Sequence, residues 1–136
     1  MRKWGMMFAA AAIVAGFLLP ISCATFTSIP FEPAFEGRSL GKPVDLDKLK
    51  TAIRTALVTF NWRPLSETAG AYTAEFQKDG GSIRAEIKVV YSPSGYRIEY
   101  AGSKGLDADL EKKMIHRNYV RWMGNLDKQI YLNYIQ

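Results

Sequence analysis

Between Leu46 and Phe60 the apolar residues Leu46, Leu49, Ile53, Leu57 and Phe60 recur at spacings of three and four, one stripe along a helix with polar positions behind it. Asp45 stands where an N-cap carboxylate would accept from the first turn, and Asp47 adds negative charge to that turn. Val44 and Leu49 fall at the two ends of a hydrophobic staple, and Asn61 and Pro64 close the helix.

The period then changes from 3.6 to 2. Tyr72, Ala74 and Phe76 share one face, as do Ile83, Ala85, Ile87, Val89 and Tyr91, and again Tyr96, Ile98 and Tyr100, so three strands are expected. Asp79-Gly80 is a type I′ hairpin signal. A turn there sets Phe76 opposite Ile83, Ala74 opposite Ala85, Tyr72 opposite Ile87 and, on the other face, Glu75 opposite Arg84. Moving the turn to Gly80-Gly81 would set Glu75 against Glu86, a like-charge pair, so the first register is the expected one. A second hairpin through Ser92-Pro93-Ser94-Gly95 pairs Lys88 with Glu99 and Ile87 with Tyr100.

A last helix is expected from about Asp107 or Asp109 to the C-terminus. Its stripe is Ile115, Tyr119, Trp122, Leu126 and Ile130, with Arg117, Arg121 and Lys128 behind it and Gly124 inside it. Helix, three-stranded antiparallel meander and helix, with both helices on one sheet face, make a two-layer α+β sandwich.

Ahead of this domain, residues 44–136, lie two stretches of different character. Arg2 and Lys3 precede an apolar run from Met6 to Leu19, about 14 residues, which is short of the roughly 20 that span a bilayer and fits a signal-peptide core. The run ends at Pro20-Ile21-Ser22-Cys23, and a small residue before a Cys at this place resembles the lipobox of bacterial lipoproteins, with Pro20 where that motif usually carries Leu. The resemblance implies a signal peptide over residues 1–22, cleavage before Cys23, and acylation of Cys23. Ala24 after the Cys, by the sorting rule of Gram-negative lipoproteins, implies the outer membrane, with the domain facing the periplasm. From residue 23 to 43 the chain carries Pro30, Pro33, Pro43, Gly37 and Gly41 with no period, and reads as a tether. Fully extended, such a tether would reach about 60 Å at roughly 3.3 Å per residue. Phe26, Ile29, Phe31 and Phe35 are apolar enough to lie against the domain or the membrane interface.

Composition enters here and changes two conclusions. The chain of 136 residues has a net charge of +5, but without Arg2 and Lys3 the excess falls to +3, so basicity is a targeting feature and no nucleic-acid partner is expected. With one His and one Cys, zinc sites built on those residues and intrachain disulfides are excluded, and no metal or other cofactor is expected.

His116 is the single candidate acid, base or ligand, and on a helical wheel it falls at the margin of the last stripe. A packed edge histidine is the expected role, since no orienting partner for a triad is identifiable. Asp107, Asp109 and Glu111 cluster as helix-start residues do. Gly102-Ser103-Lys104-Gly105 matches no phosphate-loop spacing. The basic stripe Arg117, Arg121 and Lys128 reads as a solvated face, or as a surface that meets anionic lipid headgroups. Seven tyrosines concentrate on the apolar sheet face and the last helix, where they pack or rim a shallow groove. Candidate contacts for a ligand or partner are therefore His116, Tyr119, Trp122 and Tyr100.

The last helix, Ile115-His116-Arg117-Asn118-Tyr119 with Trp122 and Asn125-Leu126-Asp127, resembles that of small proteobacterial lipoproteins of unassigned activity. The expectation is a non-enzymatic, lipid-anchored envelope protein that binds another envelope component in an assembly or maintenance role. The alternative is a periplasmic module that binds a small molecule or lipid in a Tyr/Trp-lined groove.

Overall fold

The computed structural model describes residues 27–136. Its elements are β1 (Ser28–Pro30), β2 (Ala34–Glu36), α1 (Leu46–Thr59), β3 (Arg63–Thr68), β4 (Ala71–Lys78), a short 3-10 turn (Asp79–Gly81), β5 (Ile83–Ser92), β6 (Gly95–Lys104), β7 (Met114–His116) and α2 (Arg117–Ile135). The class is α+β, as expected. The sheet is not a three-stranded meander: five antiparallel strands run in the order β2-β6-β5-β4-β3, and β1 pairs with β7 in a separate ribbon.

The first helix follows its sequence signals. Asp45 caps it by accepting from Lys48 N at 3.0 Å, and the staple residues Val44 and Leu49 both join the core. Leu49, Ala52, Ile53, Ala56 and Leu57 are buried against α2 and β5. At its end Asn61 turns into the left-handed region, φ 56°.

β3 is a strand the sequence pattern does not announce. All six of its residues are exposed, so no alternation marks it, and Pro64 is tolerated because the strand lies at the sheet edge. Leu65 falls out of register at a bulge between Pro64 and Ser66.

The first hairpin takes the register that the charge argument rejected. Glu75 stands opposite Glu86, Phe76 opposite Ala85 and Ala74 opposite Ile87. The expectation counted only two strands. β3 places Arg63 directly opposite Glu75 on the other side, where its guanidinium ion-pairs with that carboxylate, and Gln77 donates to it at 2.8 Å. Arg84 completes the set at 3.7 Å. The connecting loop holds Asp79, Gly80 and Gly81 all at positive φ, a conformation for which the two glycines are suited. The second hairpin is as expected, with Lys88 opposite Glu99 and Ile87 opposite Tyr100, and a bulge beyond Ile87. Glu99 forms its ion pair with Arg97 at 2.7 Å rather than with Lys88.

The stretch expected as a tether is structured from residue 28. Phe35 pairs with Ile98 at the far sheet edge, and Ile29 pairs with Ile115 in the small ribbon. Phe31 is buried, its ring edge-on to Tyr100 and Tyr119 at 5.8 Å each. Pro30 and Pro33 do not oppose this, because strands of three residues at an edge need few backbone donors.

The last helix begins at Arg117, later than expected. Residues 110–113 form a turn closed by an isolated bridge from Asp109 to Met114, and Asp109 accepts from Lys112 N at 3.0 Å instead of capping a helix. The buried stripe of α2 is Tyr119, Met123, Leu126, Ile130 and Tyr134, with Trp122 partly exposed beside it. The two helices are tied where Asn133 Nδ2 donates to the Ala52 carbonyl at 3.1 Å and Asp45 N donates to the Tyr134 hydroxyl at 3.1 Å. Buried residues of both helices and of the inner sheet face join one cluster.

Candidate functional site

The four residues proposed as contacts are not assembled into one site. Tyr100 and Tyr119 do meet, edge to face at 5.7 Å, but with Phe31 they make a packed aromatic triad. Tyr119 is 3% exposed, and burial drives its phenol well above the ordinary range. The Tyr100 hydroxyl bonds to Ser103 Oγ at 2.8 Å. Trp122 belongs elsewhere, against Phe76 at 4.8 Å, and Phe76 in turn meets Trp62 at 5.5 Å.

His116 is not on a helix face. It closes β7 opposite Ser28 and caps α2, its Nδ1 accepting from Asn118 N at 3.2 Å. An imidazole in this role holds the helix start, and the hydrogen bond requires Nδ1 to be unprotonated. Among the described residues, no cluster of three His, Cys, Asp or Glu side chains is arranged to hold a metal ion.

Two carboxylates are buried. Glu75 lies under Arg63, Gln77 and Arg84 on the outer sheet face, and the hydrogen bond from Arg63 holds its carboxyl below the usual carboxylate range. Asp127, 4% exposed, is the centre of a second group. The Tyr96 hydroxyl donates to Asp127 Oδ1 at 2.7 Å, and Arg38 Nε donates to Oδ2 at 2.8 Å. Arg38 also lies over the Tyr131 ring at 5.6 Å. Burial first, and then the Asp127 hydrogen bond, push the Tyr96 phenol far above its ordinary value, so it stays a proton donor. This group rivets the Gly37–Arg38 segment to α2, and no buried side-chain N or O among the described residues lacks a partner.

Two surface grooves combine apolar walls with polar groups at the rim. The first is a groove of about 430 Å³ between α1 and the free edge of β3, walled by Leu57, Val58, Pro64 and Leu65. Val58 is 67% exposed and Leu65 43%. At its rim Arg54 donates to Glu67 at 2.7 Å, the Tyr72 hydroxyl donates to the same carboxylate at 3.1 Å, and Arg54 lies over the Tyr72 ring at 5.6 Å. The Arg54 hydrogen bond lowers the Glu67 pKa, and burial pushes the Tyr72 phenol up to about 12. The rim is thus a fixed plus-minus pair beside an apolar wall. The second surface is a cleft of about 250 Å³ with Trp62, Phe76 and Trp122 on its walls and Asn61 and Asn125 at its mouth.

Sequence reasoning missed the first surface because no strand was assigned over residues 63–68, although Val58 already stood off the α1 stripe as an unpaired apolar residue. It found Trp122 but placed it in the core. No family model, curated protein or solved structure matches the chain. The fold and these surfaces stand alone as the basis for a functional reading. No helix among the described residues is long and apolar enough to cross a membrane. Cys23 and the expected signal peptide, residues 1–22, lie outside the described residues.

Proposed function

We propose that the chain is a non-enzymatic lipoprotein, anchored through Cys23 to the outer membrane of a Gram-negative bacterium, whose folded part binds another envelope protein through the groove between α1 and β3. The observation that carries the binding part is the pair of exposed apolar side chains, Val58 and Leu65, on one groove with a polar rim, the composition of a protein contact. Pro64, the bulge and the flanking charges blunt the strand edge, which favours a side-chain contact over addition of a partner strand. The interior offers no competing site near Tyr100 and Tyr119, since those rings fill their own space. The anchoring part rests on the lipobox-like Ser22-Cys23.

A photo-crosslinking residue at Leu65, introduced in living cells, is expected to give one discrete adduct that Val58→Asp abolishes, with none from Lys88 on the outer sheet face. Equal adducts at both positions would remove the groove from consideration. For the anchor, Cys23→Ala is expected to release the protein from the outer-membrane fraction. Unchanged sedimentation would overturn the lipobox reading.

One observation favours a second reading, that of a small-molecule binder. The cleft of about 250 Å³ presents three aromatic walls and two amide side chains, a composition suited to a small apolar ligand with a polar end. Quenching of Trp122 fluorescence by such a ligand, lost in Phe76→Ala, would support it over the groove.

A further inference from the structure

The length of free chain between the lipid and the domain follows from where the described fold begins. The Thr27 carbonyl accepts from Arg117 N at 2.8 Å, and Ser28 then pairs with His116, so the chain is pinned at the start of α2. From Cys23 to Thr27 there are four peptide steps, which reach at most about 14 Å. If Cys23 carries lipid, the bilayer surface lies within that distance of the Thr27 end of the domain. The His116 N–H donates to the Leu106 carbonyl just beyond β6, so the opposite end of that strand, the Ser92–Gly95 turn, is a full strand length away.

The surface at the Thr27 end has a matching composition. A shallow groove there is lined by Ile29, Arg117, Asn118, Val120 and Arg121. Arg117 and Arg121 are exposed, and among the described residues neither is paired with a carboxylate. Arg121 donates to Asn118 Oδ1 at 3.0 Å, which holds its guanidinium over the groove. Of the charged groups in the neighbouring turns, Lys113 pairs with Glu32 and Lys112 with Asp109, while Asp107 and Glu111 pair with neither arginine. The two arginines therefore remain available to an outside anion, with Ile29 and Val120 as apolar neighbours.

We propose that this face is a membrane seat: Arg117 and Arg121 dock on anionic phospholipid headgroups and hold the lipidated domain in one orientation, with the β3 groove left open to the periplasm. This rests on the anchoring reading above. A guanidinium suits a phosphodiester because it presents paired donors in a plane. Two such contacts would be weak for a free protein. They suffice to orient a domain that a short chain already holds at the surface, because the second contact is then intramolecular.

The test uses full-length protein extracted from membranes and reconstituted in vesicles of phosphatidylcholine alone or of phosphatidylcholine with phosphatidylglycerol. Phenylglyoxal modification of each arginine is followed by mass spectrometry. In phosphatidylglycerol vesicles Arg117 and Arg121 are expected to react several-fold more slowly than in phosphatidylcholine, while Arg84 and Arg97 on the outer sheet face react at one rate in both. The difference should fade as salt is raised. Equal rates for Arg117 and Arg121 in the two vesicles, or equal protection of Arg84 and Arg97, would overturn the seat. The intact mass of the same sample separates this from the anchor: an acylated Cys23 with no protection overturns the seat alone, and an unmodified Cys23 overturns both.

Discussion

Two glycines illustrate opposite demands at single positions. A Cβ on Gly37 would lie 2.6 Å from the Tyr96 carbonyl oxygen and as close to its ring, so only glycine lets this segment bring Arg38 to Asp127. We predict that Gly37→Ala lowers unfolding free energy by about 1 to 3 kcal/mol, read from urea denaturation, because the obstructing atom is backbone and cannot swing away. Gly124 sits inside α2, and a Cβ there would meet nothing within 4 Å. Gly124→Ala should raise stability by about 0.5 to 1 kcal/mol in the same assay. Trp122 shows where residue-level reading ends. Trp122 and Met123 both lie within a helical turn of Tyr119, and spacing alone does not choose between them. The structure keeps Tyr119, Leu126 and Ile130 in the stripe but buries Met123 in place of Trp122, which stays at the rim against Phe76. Leu126→Ala, fully buried, should therefore cost about 2 to 5 kcal/mol, and Trp122→Ala less than Leu126→Ala.

At the level of elements, legibility tracked length and one-sided burial. α1 and the paired strands β5 and β6 announce themselves because one face of each is buried over several periods. β1, β2 and β7 have three residues each, too few for a period to show, and β3 has no buried face at all. The error in the first hairpin has the same origin, since the charge that makes Glu75 opposite Glu86 tolerable comes from the unrecognised neighbour strand. That arrangement has a pH signature. Glu75 and Glu67 have folded pKa values below their ordinary 4.5, so the stability they contribute is complete above that value and is lost as pH falls through the lowered values. The urea midpoint should drop as pH falls below about 4.5, and drop less in Glu75→Gln, which cannot titrate there. The candidate groove was illegible for a further reason: it is made by juxtaposing an off-stripe residue of α1 with a bulged edge strand, and neither signals the other in the chain. A tether would tolerate removal of residues 28–36. Because Phe31 and Phe35 pack on the core and both strands are paired, we expect that deletion to abolish cooperative unfolding followed by circular dichroism.

For the molecule as a whole, the contacts that close the fold join its two ends. Arg38 and Asp127 are 89 residues apart, and β1 and β2 pair only with strands from the second half of the chain. The hairpins β4–β5 and β5–β6, by contrast, join neighbours in sequence. Local pairings form early and distant closures late, since loop entropy must be overcome before a distant contact contributes. Arg38→Ala should then speed unfolding in a denaturant chevron while leaving the refolding limb nearly unchanged, and a slowed refolding limb would contradict this order. The consequence reaches the living cell. The first part of the domain to emerge during synthesis is the last to be secured, so Ser28–Pro30 lack their partner strand until residue 116 has followed them. Under the proposed anchoring at Cys23, an enzyme acting there would meet a neighbouring strand that is not yet clasped, for as long as the rest of the domain takes to follow.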